Sequence, residues 1–341
     1  MKSTFWIGSY AQPGEDGLLR CAYDPAVGFT PLAGEQRLLN PSYLILHPDL
    51  PVVYTVEETA EGAVCAWRGT AAGLEQVSRL PSGGADPCHL ALSEDRRWLY
   101  AANYTGGSVA CFSVGADGSL TARTDLKQHT GHSVNPLRQE AAHAHFVFSE
   151  GNRVTVCDLG MDCLVVYENR GGALTESCRV PVPAGRGPRH LAVSPLFPDL
   201  LYCVTELAAT VLVFRRGAEG GLTLVAECPV LGRQPTAEET AAAIHFTADG
   251  KRLLVSLRGP DAIGVMTLGA EGMPGAPTLS PCVRVPRDFL ILGEDVLAAS
   301  QKDGVLQAYR LDGERLVPLP WRMEAPCPVC LRAGDASIAD F

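Results

Sequence analysis

Residues 187–207 read GPRHLAVSPLFPDLLYCVTEL. Two short apolar runs, HLAV and LLYCVT, flank a turn rich in Pro and Asp, which reads as two adjacent strands. The pair starts with Arg189-His190 and ends with Glu206, although a sheet built only for stability would accept almost any polar residue there. The pattern recurs along the chain. Comparable units begin PSYLILHPDLPVVYTVEE at Pro41, PCHLALSEDRRWLYAANY at Pro87 and HAHFVFSEGNRVTVCDLG at His143. They continue as PRHLAVSPLFPDLLYCVTEL at Pro188, AIHFTADGKRLLVSLRG at Ala243 and PRDFLILGEDVLAASQ at Pro286. The starts lie 46, 56, 45, 55 and 43 residues apart, and each unit goes on into a third strand.

A repeat in the low-to-mid forties built of short strands is the mark of a β-propeller with one four-stranded blade per unit. A seventh unit assembles from the two ends of the chain. PVCLRAGD near residue 328 supplies its first strand, FWIGSY near residue 5 its second and GLLRCAYD its third. Pairing the termini closes the ring and leaves no open sheet edge. The expected fold is therefore all-β, a seven-bladed propeller spanning residues 1–341 as one domain.

Composition agrees and narrows the function. The 341 residues are 46% hydrophobic and 19% charged, enough for a large core. The formal net charge of −10 excludes nucleic acid as a partner, because duplex binding neutralises phosphates with Lys and Arg. The N-terminus lacks a basic segment followed by a long apolar one, and no apolar run approaches the roughly 20 residues that span a bilayer. A soluble, cytoplasmic protein without membrane contact is expected, a monomer or weak dimer. Twelve cysteines in such a chain read as reduced thiols, with Cys65, Cys111, Cys157 and Cys203 inside strands. Cys327 and Cys330 have metal spacing but neither a second pair nor a nearby His, so no metal is expected. No strand leads through a Gly-rich turn into a helix, so no nucleotide cofactor is expected either.

In a propeller the first strand of each blade lines the central channel and the second runs antiparallel to it. The start of the first and the end of the second therefore meet at one mouth. Strand-one starts bring His89, His143, His145, His190, His245, Arg287 and Asp288 there. Strand-two ends bring Glu57, Glu58, Asn103, Asp158, Glu206, Arg258 and Gln301. Five of the eight histidines fall at or near one repeat position, whereas the opposite turns, such as SEDRR and TADGK, are ordinary solvated loops. That asymmetry marks the working face. Each residue also has a plainer reading: histidines bonding neighbouring blades, Glu206 and Arg258 as a structural ion pair, Asp158 as a turn former, and Asn103-Tyr104 as scaffold.

The segment QHTGHSVNPLRQEAAHAHF (128–146), followed in order by VCDLGMDCLVVY, GPRHLAVSP, TELAATV, SLRGPDAIGV and PRDF, resembles the seven-bladed propeller lactonase family. The best known activity of that family is 6-phosphogluconolactonase, and the fungal carboxymuconate lactonizing enzyme is similar in fold. The likeness runs over essentially the whole chain. It implies a catalytic set of His143 or His145 from HAH, Arg189 from GPRH, Glu206 from TEL and Arg258 from the LRG turn. Arg138 and Gln139 of RQE and Arg287 of PRDF match further recurrent positions. The sequence departs from the usual pattern in Ser-Leu before Arg258 and in AAIHF, which lacks the usual Ser.

A lactone is a cyclic ester. Opening it takes a water nucleophile, a stabiliser for the oxyanion and a proton for the leaving alkoxide. Glu206 or a neutral imidazole of His143 or His145 can serve as base. An arginine cannot, so Arg189 or Arg258 would stabilise the oxyanion. Arg138, His145, His190 and Arg287 would bind substrate, with the arginines holding a phosphate or carboxylate bidentately. The expected partner is a small anionic lactone. The alternatives are a lactonase or cycloisomerase acting on another sugar or aromatic acid, and a non-catalytic propeller that binds a protein on its rim. Against the last stands the lack of a recurrent Trp-Asp strand ending.

Overall fold

A computed structural model describes residues 2–334 except 36, 72, 218 and 219. Among the described residues, twenty-eight strands form seven four-stranded antiparallel sheets, and there is no helix. Six sheets follow the chain in order. We number them blades one to six, with innermost strands Leu44–Leu46, Pro87–Leu92, Ala144–Glu150, Pro188–Val193, Thr240–Phe246 and Pro286–Leu292. The seventh joins the ends: Pro328–Ala333 lies innermost, beside Ser3–Ser9, then Leu18–Asp24 and Gly28–Glu35. Ile7 pairs with Leu331 and Gly8 with Cys330, as the sequence predicts for a ring closed by its termini. Successive innermost strands touch one another around the ring, the last meeting the first.

Each blade is sandwiched between two others, so its inner strands are buried on both faces and read as continuous apolar runs. In blade four Leu200–Thr205 is buried at every residue, whereas the outermost strand Leu222–Pro229 alternates between half-buried and exposed. The core therefore lies between blades. Tyr202, Val204 and Val213 of blade four pack with Ile244, Leu253 and Val255 of blade five, and full burial of such a side chain contributes about 1.5–3 kcal/mol. A repeated tyrosine ties blade to blade. The Tyr54 hydroxyl donates to the Gly118 carbonyl (2.8 Å) and that of Tyr202 to Gly272 (2.7 Å). The strand cysteines Cys65, Cys111, Cys157 and Cys203 are fully buried, and all twelve cysteines are unbridged.

Candidate active site at the channel mouth

The innermost strands of blades two to six do not enter the channel mouth smoothly. Each register slips at its start. Pro188 pairs with Thr205 but His190 with Val204, so Arg189 is an extra residue. Cys88, His145 and Arg287 are extra in the same way, and in blade five Ala242 and Ala243 oppose Ser256 alone. A β-bulge of this kind bends its strand and re-aims a side chain. Four of the bulged residues, Cys88, His145, Arg189 and Arg287, line one cavity together with Glu58 and His190. It is narrow, with about 20 Å³ of free space between its walls, enough for a single water.

Glu206 follows the second strand of blade four and is 2% exposed. One oxygen accepts from Arg189 Nε at 2.8 Å and lies 3.0 Å from a terminal nitrogen of Arg258; the other accepts from Arg138. Arg189 also donates to the Ala242 carbonyl and to His190 Nε2, at 2.8 and 2.9 Å, while Arg258 donates to the Ala241 carbonyl at 3.1 Å. Buried backbone carbonyls at and just before the blade-five bulge thus hold both guanidiniums. Burial opposes the charge on Glu206, but the fields of Arg258, Arg189 and Arg138 outweigh it and hold the carboxyl well below its usual range. Arg189 is pushed down to about 10, mainly by burial and then by Arg258 and Arg287 against the pull of Glu206. It remains a cation at neutral pH.

A second group enters the cavity from the side of blades one and seven. Arg287 donates to the Tyr10 hydroxyl at 3.0 Å and lies over the Tyr10 ring, 5.3 Å from its centre. Tyr10 in turn donates to Glu58 Oε1 at 2.8 Å, and the Ser42 hydroxyl donates to the other oxygen. Burial raises the proton affinity of Glu58, only partly countered by Arg287 and by these two hydroxyls.

Histidines fill the channel below. His190 lies edge-on to His89 (5.5 Å between ring centres) and to His145 (5.3 Å). Burial first, then the nearby guanidiniums of Arg189 or Arg332, push all three well below the usual imidazole value, so they are neutral. His89 shares a hydrogen bond with Tyr43. His145 Nδ1 and Arg258 Nε are shut off from solvent and find no partner among the described residues. Asp288 accepts from Arg332 (2.9 Å) and contacts His245 (3.0 Å). Burial opposes its charge, yet Arg332 and His245 bring its pKa to about 2.

The structure thus joins Arg138, Arg189, Glu206 and Arg258 in one ion-paired cluster and places His145, Arg189, His190 and Arg287 on the cavity wall. His143 stands apart. Its ring stacks on Tyr104 at 4.6 Å, its Nδ1 donates to the Tyr104 carbonyl (3.1 Å), and its Nε2 lies 3.2 Å from Glu140. Tyr104 also takes a hydrogen bond from Arg138 at 3.3 Å. Buried Gln139 pins the 135–159 region, donating to the Leu159 carbonyl and accepting from the Asn135 amide. Asp158 accepts from the His143 and Met161 amides and from His129, so it is a turn former that also anchors HAH. Asn103 is scaffold, donating to Ser108 and the Ser82 carbonyl. Glu57, expected at the mouth, pairs instead with Arg79 of the outermost strand at 2.7 Å, because strand alternation turns it away from the channel. Tyr10, not expected at the mouth, follows strand two of blade seven just as Glu58, Tyr104 and Glu206 follow theirs. Continuing the repeat into that blade would have identified it.

Residues 4–333 match the family model described as lactonase, 7-bladed beta-propeller. A 6-phosphogluconolactonase of Bacillus subtilis (strain 168) is 30% identical over 344 residues, covering 96% of this chain and 97% of that protein. One from Formosa agariphila is 27% identical, covering 86% and 90%. Among solved structures, the periplasmic gluconolactonase of Pseudomonas aeruginosa matches with a TM-score of 0.89 at 28% identity, covering 98% of this chain and 99% of that one.

Proposed function

The chain belongs to the seven-bladed β-propeller lactonases, hydrolases acting on lactones, and from that premise we propose that it opens 6-phospho-D-glucono-1,5-lactone to 6-phosphogluconate without a metal. The observation that carries this reading is the concentration of Arg138, Arg189, Arg258 and Arg287 at one channel mouth of a chain with net charge −10. The ion-pair partner of three of them is the single carboxylate Glu206. That leaves a cationic surplus suited to a phosphorylated substrate.

Arg189 is fixed by Glu206 and the Ala242 carbonyl and lines the cavity. It polarises the lactone carbonyl and stabilises the tetrahedral oxyanion, with no reorganisation needed at the moment of reaction. Arg287 borders the same cavity, and Arg138, the most exposed of the four, holds the phosphate from the rim. Glu206 is so firmly ionised by its arginines that its part is to position them. With guanidinium groups supplying the positive charge, the reaction has no need of a Lewis acid. The free thiols and the phosphorylated substrate suit a reducing cytoplasm.

The test is release of 6-phosphogluconate from fresh lactone, followed through a coupled dehydrogenase in EDTA. Arg189→Ala should lose about 10²–10³-fold in kcat, the effect of removing one oxyanion donor. Wild-type protein that fails to exceed buffer alone refutes the substrate assignment. Faster opening of unphosphorylated glucono-1,5-lactone would instead align the chain with the gluconolactonase neighbour.

A further inference from the structure

Lactone opening moves a proton, yet Glu206 is poorly suited to carry it, since three guanidiniums hold it as the anion. His143 is turned toward Tyr104 and Glu140. The wall of the cavity holds another carboxyl. Glu58 stands at the end of strand two in blade one and borders the same space as Arg189, His145 and Arg287. Both of its oxygens are oriented, one by the Tyr10 hydroxyl and one by the Ser42 hydroxyl, and the Arg287 guanidinium is linked to it through the hydroxyl of Tyr10. It is therefore rigidly placed without being clamped as Glu206 is.

We propose that Glu58 is the proton-transfer residue of this site and that Tyr10 is its positioning residue. The assignment rests on the reading of the chain as a lactone hydrolase. In the first step the Glu58 carboxylate takes a proton from water as the water oxygen bonds to the lactone carbonyl carbon, and the carbonyl electron pair moves to the oxygen beside Arg189. In the second step that pair returns, the bond from the carbonyl carbon to the ring oxygen breaks, and Glu58 gives its proton to the departing oxygen. Lactone and water become the hydroxy acid, which ionises to its carboxylate, and Glu58 ends as it began.

Glu58 and Glu206 differ as an acid–base pair of roles requires. Burial moves Glu58 upward, while three arginines hold Glu206 down. Environments that drive two titratable groups apart assign one to proton transfer and the other to fixed charge. Tyr10, Arg287 and Asp86 act directly on Glu58. Cys88, Arg189, His145, His190 and Asp288 complete the wall around it. Of these, His145 and His190 are neutral and Asp288 is held near 2, and the acid limb of the pH–rate profile is expected to follow Glu58.

The experiment compares wild type, Glu58→Gln and Tyr10→Phe by kcat/KM from pH 4.5 to 8, with thermal melting of each. Glu58→Gln should lose about 10²–10⁴-fold, the usual contribution of a positioned acid–base group, and its residual rate should lack the acid limb. Tyr10→Phe removes a hydrogen bond that favours the carboxylate, so its acid limb should move to higher pH. A folded Glu58→Gln with wild-type rate and profile overturns the assignment. If Glu58→Gln does not fold, an unmoved limb in Tyr10→Phe overturns it equally. Wild-type protein that opens no lactone defeats the hydrolase reading and this assignment together, whereas an active wild type with an indifferent Glu58→Gln defeats this assignment alone.

Discussion

Replacing Glu206 by Gln removes the one carboxylate shared by three arginines. Arg189 is 2% exposed, Arg258 15% and Arg138 37%. Solvent relieves the last, but the first two are left as buried cations whose remaining partners are backbone carbonyls and His190. Breaking a buried ion pair on one side costs about 3–5 kcal/mol. With an unfolding entropy near 2.1 cal/mol/K per residue, a chain of 341 residues loses about 1 °C of Tm for each ~0.7 kcal/mol, so Tm should fall by about 4–7 °C. Scanning calorimetry at neutral pH measures this directly. A buried cluster is weakly screened, so the difference should persist in 1 M salt, where exposed pairs fade. The pH dependence has a definite sign. The pKa of Glu206 is lower in the folded than in the unfolded chain, so its stabilisation is complete above the unfolded value of about 4.3 and is lost as pH falls toward the folded one. The gap between wild type and Glu206→Gln should therefore be level from pH 8 to 5 and narrow below about pH 4. A Tm within 1 °C of wild type, or a gap abolished by salt, would refute the view of Glu206 as the electrostatic keystone of this mouth.

Two further outcomes follow from neutral imidazoles and from a close backbone contact. His89, His145 and His190 are held neutral by burial and then by Arg189 or Arg332. The unfolded chain takes up their protons first, so stability should decline as pH drops below about 6.5. Their ring nitrogens in ¹⁵N NMR should show no titration between pH 7.5 and 6, and one that titrates near 6.5 contradicts this. At Gly160, an added Cβ would lie 1.8 Å from the Ala141 carbonyl oxygen and 2.9 Å from His143 Cδ2. Gly160→Ala must therefore displace the segment that carries Arg138 and HAH, at a cost of about 1–3 kcal/mol for overpacking. Calorimetry together with the lactone assay should show both a lower Tm and a lower kcat/KM, and a variant indistinguishable from wild type in both removes the reasoning.

The fold was legible because one physical need repeats. Every blade buries its inner strands on both faces and exposes its outermost one, so the same order of apolar runs recurs in each unit, though the intervals vary with insertions. Blade seven was readable from PVCLRAGD and FWIGSY because its strands carry the same signals at opposite ends of the chain. The convergence of Arg189, His190 and Glu206 was readable as well, since antiparallel pairing returns a strand to where it began. The clamp on Glu206 was less legible. Arg258 comes from the next blade, and Arg138 from a long loop whose path depends on Gln139 and Asp158.

The hardest distinction was local. Glu57 and Glu58 are neighbours with the same chemistry, yet one pairs with Arg79 on an outer strand and the other borders the cavity. In a strand a shift of one residue reverses the face that a side chain occupies. The choice between them depends on where the strand Val52–Glu57 ends, a boundary that composition does not mark. The bulges set the same choice on the facing strands. In a regular strand the neighbours Arg189 and His190 would point to opposite sides of their sheet. With the bulge, both line the cavity, where Arg189 donates to its neighbour's ring at 2.9 Å. The chemistry of this mouth therefore depends on single-residue irregularities superimposed on a regular repeat. Deleting Arg189 would remove the cation and restore a regular ladder, with His190 still opposite Val204, so the bulge is what gives this mouth a second inward side chain.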